Sequence, residues 1–335
     1  MKPVALVTGE VSAYRREPFR MLDEAEDVEV IAFDEAGELE AARRVRAGRY
    51  RAVVHGLGGR ISLPATYAAA RRAGIPFVLW ASLWAHPRTP AHLASWLPTR
   101  HLYRHADAVV TYGPHVSAYV RAGGARNVHV APQSVDNEFW RAPVSAPDFG
   151  RWPQDAETRF LFVGRPAREK GVSELVQAFS QAGLAPRAAL LLVGVHGVRA
   201  PDGVVCAGRV AAEELRSIYA ASDALILPSI RTRTFREPWG LVVNEAMHQR
   251  TPVIASDAVG AVAGGLVRDG RNGLVAPAGD ARALATRIEA LAADGGLRER
   301  LARAAREDVE AFSEVAWVAG MRRALHAVGA SGVRA

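Results

Sequence analysis

The chain has 335 residues, 49% of them hydrophobic and 23% charged, with 42 Lys and Arg against 35 Asp and Glu for a formal net charge of +7. That balance excludes a disordered chain, and at roughly 100–200 residues per domain the length predicts two domains. The longest apolar runs, such as Leu190–Val195 and Ala224–Leu227, fall far short of the roughly 20 residues of a membrane span, and a lone cysteine, Cys206, excludes an internal disulfide or a cysteine-rich zinc site.

In chain order, short β-type runs alternate with stretches of helical period. Strands are predicted at Val4–Thr8, Val28–Ala32, Ala52–His55, Phe77–Ala81, Ala108–Tyr112 and Val128–Ala131. Helices are predicted between them at Glu17–Glu26, Gly37–Arg49, Leu63–Ala73, Ala91–His105 and His115–Ala122. Because Met1–Val7 reads as the start of the first strand and not as a secretory leader, a cytoplasmic location is expected. Pro132–Pro153 holds four prolines and no sustained period, so it reads as a connection between domains.

A second alternating set follows. It runs Arg159–Val163, helix Val172–Gln181, Ala188–Val193, Val204–Cys206, helix Ala211–Ala221, Ala224–Leu227, helix Gly240–His248 and Pro252–Ala255. The tail is helical by pattern at Ala281–Ala293, Leu297–Val309 and Ser313–Val328. The expected fold is therefore α/β, with two Rossmann-like lobes on parallel sheets and a helical C-terminus. Residues 1–140 and 155–310 form the lobes, and 311–335 form a terminal helix that packs back on the first. Ligands of such sheets sit at the carboxyl ends of the strands, and a cleft between lobes is the default site.

The basic balance does not by itself argue for nucleic acid. Forty of the 42 basic residues are Arg and are spread widely, as coding bias of a GC-rich genome would leave them. One region stands out: residues 55–135 hold eight Arg and one acid, giving +7, against −2 for residues 1–54 with nine basic and eleven acidic groups. A basic first lobe of this kind suits an anionic acceptor or peripheral contact with a membrane surface. The rarity of Lys also singles out Lys170, since a compact ammonium on a flexible stem does not replace a guanidinium fork at a phosphate site.

Three segments of the second lobe place polar groups just beyond predicted strands. In Phe160–Gly171, Arg165 and Lys170 lie in the loop before a helix, where two cations and the positive helix end attract one diphosphate. In Leu227–Met247, Pro228-Ser229 ends a strand, and Glu237 and Glu245 flank a helix start at Gly240. Two carboxylates so spaced suit separate hydroxyl clusters of an extended ligand better than an acid/base pair. The third segment joins Pro252–Asp257 to Asp269-Gly-Arg-Asn-Gly273.

Taken in order, Val163-Gly-Arg-x4-Lys-Gly, Pro-Ser, Glu-x7-Glu, Pro-Val-Ile-Ala-Ser-Asp and Asp-Gly-x-Asn-Gly resemble the family 4 glycosyltransferases over about Phe160–Ala276. The first lobe resembles them through Tyr14-Arg15 and His105-Ala-Asp-Ala-Val-Val. These are retaining, metal-independent enzymes of the GT-B fold that use nucleotide sugars. The resemblance implies that Arg165 and Lys170 neutralise the donor diphosphate and leaving group. It assigns Glu245 to the ribose hydroxyls, and Glu237, with the backbone of Gly240 and Leu241, to the donor sugar. Arg209 and Val210 lie where such enzymes hold the base. The donor would be a UDP or GDP sugar, with no cofactor and no metal. On the acceptor side it points to Gly9, Glu10, Arg15, Ser82 and His86, the last as a catalytic candidate near the reacting sugar.

The chain departs from the family at Gln249-Arg250-Thr251, at Val259–Leu266, and in Arg231, Arg233 and Arg236 before Glu237. Other readings are a GT-B epimerase or phosphorylase, a non-catalytic nucleotide-binding protein, or a dinucleotide oxidoreductase. The last rests on Gly56-Leu-Gly58-Gly59, which lacks the third glycine and does not follow the first strand.

Overall fold

The computed structural model describes residues 2–197 and 200–332, so the last three residues of the expected terminal segment lie outside the described residues. The chain divides into two compact units, residues 1–136 with 313–335, and residues 137–312.

The first unit contains β1 (Val4–Thr8), α1 (Ala13–Glu26), β2 (Val28–Ala32), α2 (Phe33–Ala36), α3 (Glu40–Arg46), β3 (Ala52–Gly56), α4 (Ser62–Ala73), β4 (Phe77–Ala81), α5 (Pro90–His105), β5 (Ala108–Thr111), α6 (Pro114–Ala122) and β6 (Val128–Val130). Its six strands are all parallel, in the order β2-β1-β3-β4-β5-β6. Strands buried on both faces explain the near-continuous apolar runs. Ala5, Val7, Val53 and Leu79 pack toward α3, α4 and α6, while Val4, Leu6, Val54 and Val78 face the other way.

The second unit runs α7 (Asn137–Arg141), β7 (Thr158–Val163), α8 (Val172–Ala182), β8 (Ala188–Val193), β9 (Val204–Ala207), α9 (Ala212–Ala221), β10 (Ala224–Leu227), α10 (Val242–His248), β11 (Val253–Ser256), α11 (Gly260–Ala263), β12 (Gly273–Ala276), α12 (Ala281–Ala293) and α13 (Gly295–Asp308). Its parallel order is β12-β11-β10-β7-β8-β9. Phe160, Phe162, Leu190 and Ile226 form a core with Leu175 and Phe179 of α8 and Leu284 and Ile288 of α12. A final helix, α14 (Glu314–Ala327), packs on the first sheet beside α1: Trp317 is fully buried, 5.6 Å from the Trp80 ring and 5.7 Å from Phe19.

Three expectations change. The proline-rich connection belongs largely to the second unit, because Trp140 packs on Tyr219 and Trp152 Nε1 donates to the Phe160 carbonyl at 3.1 Å. The helix expected at Gly37–Arg49 shortens to α3, with Gly37 (φ +87°) closing α2 before it. Finally, α1 begins at Ala13 and not Glu17, with Pro18 inside it. Pro18 removes one N–H from the helical ladder, and the aromatic packing around Arg15 holds the first turn in place.

Candidate active site

In the second unit the loops after β7 and β10 bring the predicted cations and carboxylates together. β7 ends before Gly164, and a single turn at Arg168–Lys170 leads through Gly171 into α8. Gly171 has φ +69°, and a Cβ there would lie 2.2 Å from the Pro228 carbonyl oxygen, so only glycine allows the two loops to touch. The Ile230 N–H donates to the Glu169 carbonyl at 2.9 Å and completes the junction.

Across it, Lys170 Nζ lies 2.5 Å from Glu237 Oε2, with side-chain exposures of 16% and 8%. Ser229, buried at the end of β10, donates its hydroxyl to the same carboxylate oxygen at 3.3 Å. Arg165 is largely exposed and makes a loose 3.3 Å pair with Glu169. The rim therefore carries one open guanidinium beside an ammonium already matched by a carboxylate.

Glu245 lies in the first turn of α10, because Gly240 takes φ +94° and the helix begins only at Val242, two residues later than expected. The Tyr219 hydroxyl donates to Glu245 Oε2 at 2.8 Å. Glu245 keeps some surface, yet desolvation outweighs that hydrogen bond and pushes its carboxyl up to about 7. Burial and the facing carboxylate likewise raise the Tyr219 phenol. Tyr219 was not foreseen as a site residue: in sequence it sits at a core position of a helix, and nothing marks its hydroxyl. Arg209 is exposed and Val210 partly buried in the loop after β9. Asn272 holds the Asp269–Gly273 turn, accepting from Arg268 N and donating to the Leu266 carbonyl, both at 2.7 Å. Asn272 and Gly273 are therefore a buried anchor for a turn whose Asp269, Gly270 and Arg271 are exposed.

In the first unit a cavity of about 230 Å³ opens at the carboxyl ends of β1, β3 and β4. Gly9, Glu10, Arg15 and Ser82 all line it, and Tyr14, Trp80 and Tyr112 close it. His86 does not line it. Its Nε2–H donates to the His92 carbonyl at 2.5 Å and ties the loop to the start of α5. No helix among the described residues is long and apolar enough to cross a membrane.

Two parallel six-stranded sheets with covering helices make up the GT-B fold. Residues 149–308, just under half of the chain, match the family described as glycosyl transferases group 1. The chain is 29% identical over 289 residues to the alpha-D-kanosaminyltransferase of Streptomyces kanamyceticus, covering 78% of this chain and 72% of that one. It is 32% identical over 229 residues to a GDP-mannose-dependent alpha-mannosyltransferase of Mycobacterium tuberculosis, covering 63% and 56%. Its fold is similar to that of Anabaena HepE, solved in complex with UDP-glucose, with a TM-score of 0.73 over 97% of this chain and 100% of that one at 19% identity.

Proposed function

We propose that the protein transfers a sugar from a UDP or GDP sugar to an acceptor, with retention at the anomeric carbon and without a metal ion. The observation that carries this reading is the Lys170–Glu237 pair, which sets a cation for phosphate and a carboxylate for sugar hydroxyls 2.5 Å apart. A departing nucleoside diphosphate gains negative charge as the anomeric carbon becomes cationic, so fixed positive charge at the phosphate end lowers the barrier. Arg165 and Lys170 supply it, Glu237 and the Gly240 and Leu241 backbone orient the sugar, and Glu245 accepts from the ribose hydroxyls. Arg209 and Val210 border the base. His86, held by α5, gains no support from its geometry as a residue at the reacting sugar. The mannosyltransferase relative is GDP-mannose-dependent and HepE was solved with UDP-glucose, which supports a nucleotide-sugar donor while the two differ in base.

The exposed Leu93, Trp96 and Leu97 of α5, with Arg100 and Arg104 on the following turns, support peripheral contact with an anionic lipid surface. Flotation with phosphatidylglycerol vesicles tests that contact.

The donor experiment is a thermal-shift panel of UDP, GDP, ADP, dTDP and CDP beside NAD and NADP, with and without EDTA. A melting point raised by one nucleoside diphosphate in both buffers supports the reading. A response to dinucleotides alone overturns it.

A further inference from the structure

The cavity of the first unit contains a buried cation that forms no ion pair among the described residues. Arg15 lines the cavity, yet only 3% of its surface is exposed. Its Nη2 donates to Gln133 Oε1 at 2.6 Å and reaches Tyr112 Oη at 3.5 Å. Its guanidinium lies 4.5 Å from the Trp80 ring centroid and 4.9 Å from that of Tyr14. Among the described residues no carboxylate pairs with it, and Nη1 is buried with no hydrogen-bond partner. A guanidinium stays protonated at any physiological pH, and burying its charge without a counter-ion is strongly unfavourable. Stacking on aromatic faces offsets only about 0.5–2 kcal/mol of that.

The wall around it has the complementary polarity. Ser12 precedes α1, a helix of 14 residues, without capping it through its side chain, and its hydroxyl lines the cavity beside the positive end of that helix. Thr8 and Ser82 add two more hydroxyls. Glu10 also lines the cavity but is exposed, so water screens its charge far more than that of the buried guanidinium. The volume, about 230 Å³, is below the roughly 300–1,000 Å³ of pockets that enclose drug-sized ligands, and so suits a small anionic head.

We propose that this cavity is an oxyanion site in which Arg15 binds a phosphate or carboxylate group carried by the acceptor. The word acceptor rests on the transferase reading; the oxyanion site does not. Acceptors lacking such a group would be transferred to poorly, because a neutral head would leave the guanidinium unpaired.

The test is thermal unfolding of the full chain in sodium phosphate, sodium acetate or sodium chloride at matched ionic strength. A millimolar dissociation constant predicts a rise of about 4 °C at 20 mM oxyanion over chloride. Phosphate acting alone would identify a phosphate site, and acetate acting as well a site that also takes carboxylates. Arg15→Met abolishes the rise, which also separates this site from anion binding at Arg165 and Lys170. Should Arg15→Met fail to fold, Ser82→Asp places a carboxylate in the cavity wall and abolishes the rise with Arg15 intact. A rise that survives either substitution, or no rise with any oxyanion, overturns the proposal. UDP and GDP shifts in the same samples report the donor site separately: their presence without an oxyanion effect overturns this inference alone. An oxyanion effect without them removes the transferase reading and leaves the oxyanion site standing.

Discussion

Lys170 Nζ sits 2.5 Å from Glu237 Oε2 although 67 positions separate the two residues in the chain. The pair holds two strand-end loops together, and in the function proposed above the same two groups would face the phosphate and the sugar. Breaking a buried pair by removing one partner costs about 3–5 kcal/mol, and we expect about 2–4 here because Lys170 is partly open. Lys170→Met and Glu237→Gln should each lower stability by that order and reduce transfer at least about 100-fold. The double variant should be more stable than the sum of the singles predicts. A coupling energy near zero in the double-mutant cycle would count against a functional pair.

In its proposed role, Glu245 gives nucleotide binding a pH dependence whose sign follows from its burial. Its carboxyl is raised to about 7, and in the ribose-binding role proposed for it only the ionised form would accept from both hydroxyls. Nucleotide affinity should therefore fall by about tenfold between pH 8 and pH 6. Tyr219→Phe removes the hydrogen bond that opposes burial, so the midpoint should move up. Stability runs the other way. A carboxyl with a raised folded pKa stabilises most below its unfolded value, and that contribution is lost as pH rises through about 7. Glu245→Gln should thus stabilise the fold at pH 8, by on the order of 1–3 kcal/mol, and hardly at all at pH 5. Calorimetry at the two pH values, with and without nucleotide, checks both signs.

Gly171→Ala should damage the donor site while every charged group is retained. The new methyl would meet the Pro228 carbonyl oxygen at 2.2 Å in a left-handed conformation. Separating the two loops should cost about 2–4 kcal/mol and weaken nucleotide binding together with stability. Unchanged melting and binding would show that the loops do not depend on each other.

The last helix should be essential to the first unit. Trp317 fills the space between Trp80 and Phe19, and a Cβ on Gly320 would lie 2.3 Å from the Val130 carbonyl oxygen. Trp317→Ala should cost about 3–5 kcal/mol, and Gly320→Leu should lift α14 off β6. Faster proteolysis within residues 1–136, with the second unit still protected, is the expected readout. Equal rates in both units would contradict this packing.

Every strand expected from the sequence is present, because strands of a doubly covered parallel sheet carry short, uniformly apolar runs bounded by turn residues. Helix starts were read less well. The helix expected from Glu17 begins at Ala13, where Arg15 packs on aromatic rings, and the one expected from Gly240 begins at Val242, because Gly240 takes a left-handed backbone. The sequence singled out Lys170, Glu237 and Glu245, and the structure brings Lys170 and Glu237 together at the ends of β7 and β10.

The sequence by itself determined the two α/β units, the order of their strands along the chain, and the set of charged groups bordering the second sheet. Only the tertiary structure decided how those groups act on one another. It paired Lys170 with Glu237, placed the Tyr219 hydroxyl on Glu245, and buried Arg15 among aromatic rings with no ion-pair partner among the described residues. Local pattern fixes periodicity, and periodicity fixes elements. Pairing and desolvation depend on distances between residues far apart in the chain, and those exist only once the sheets have formed.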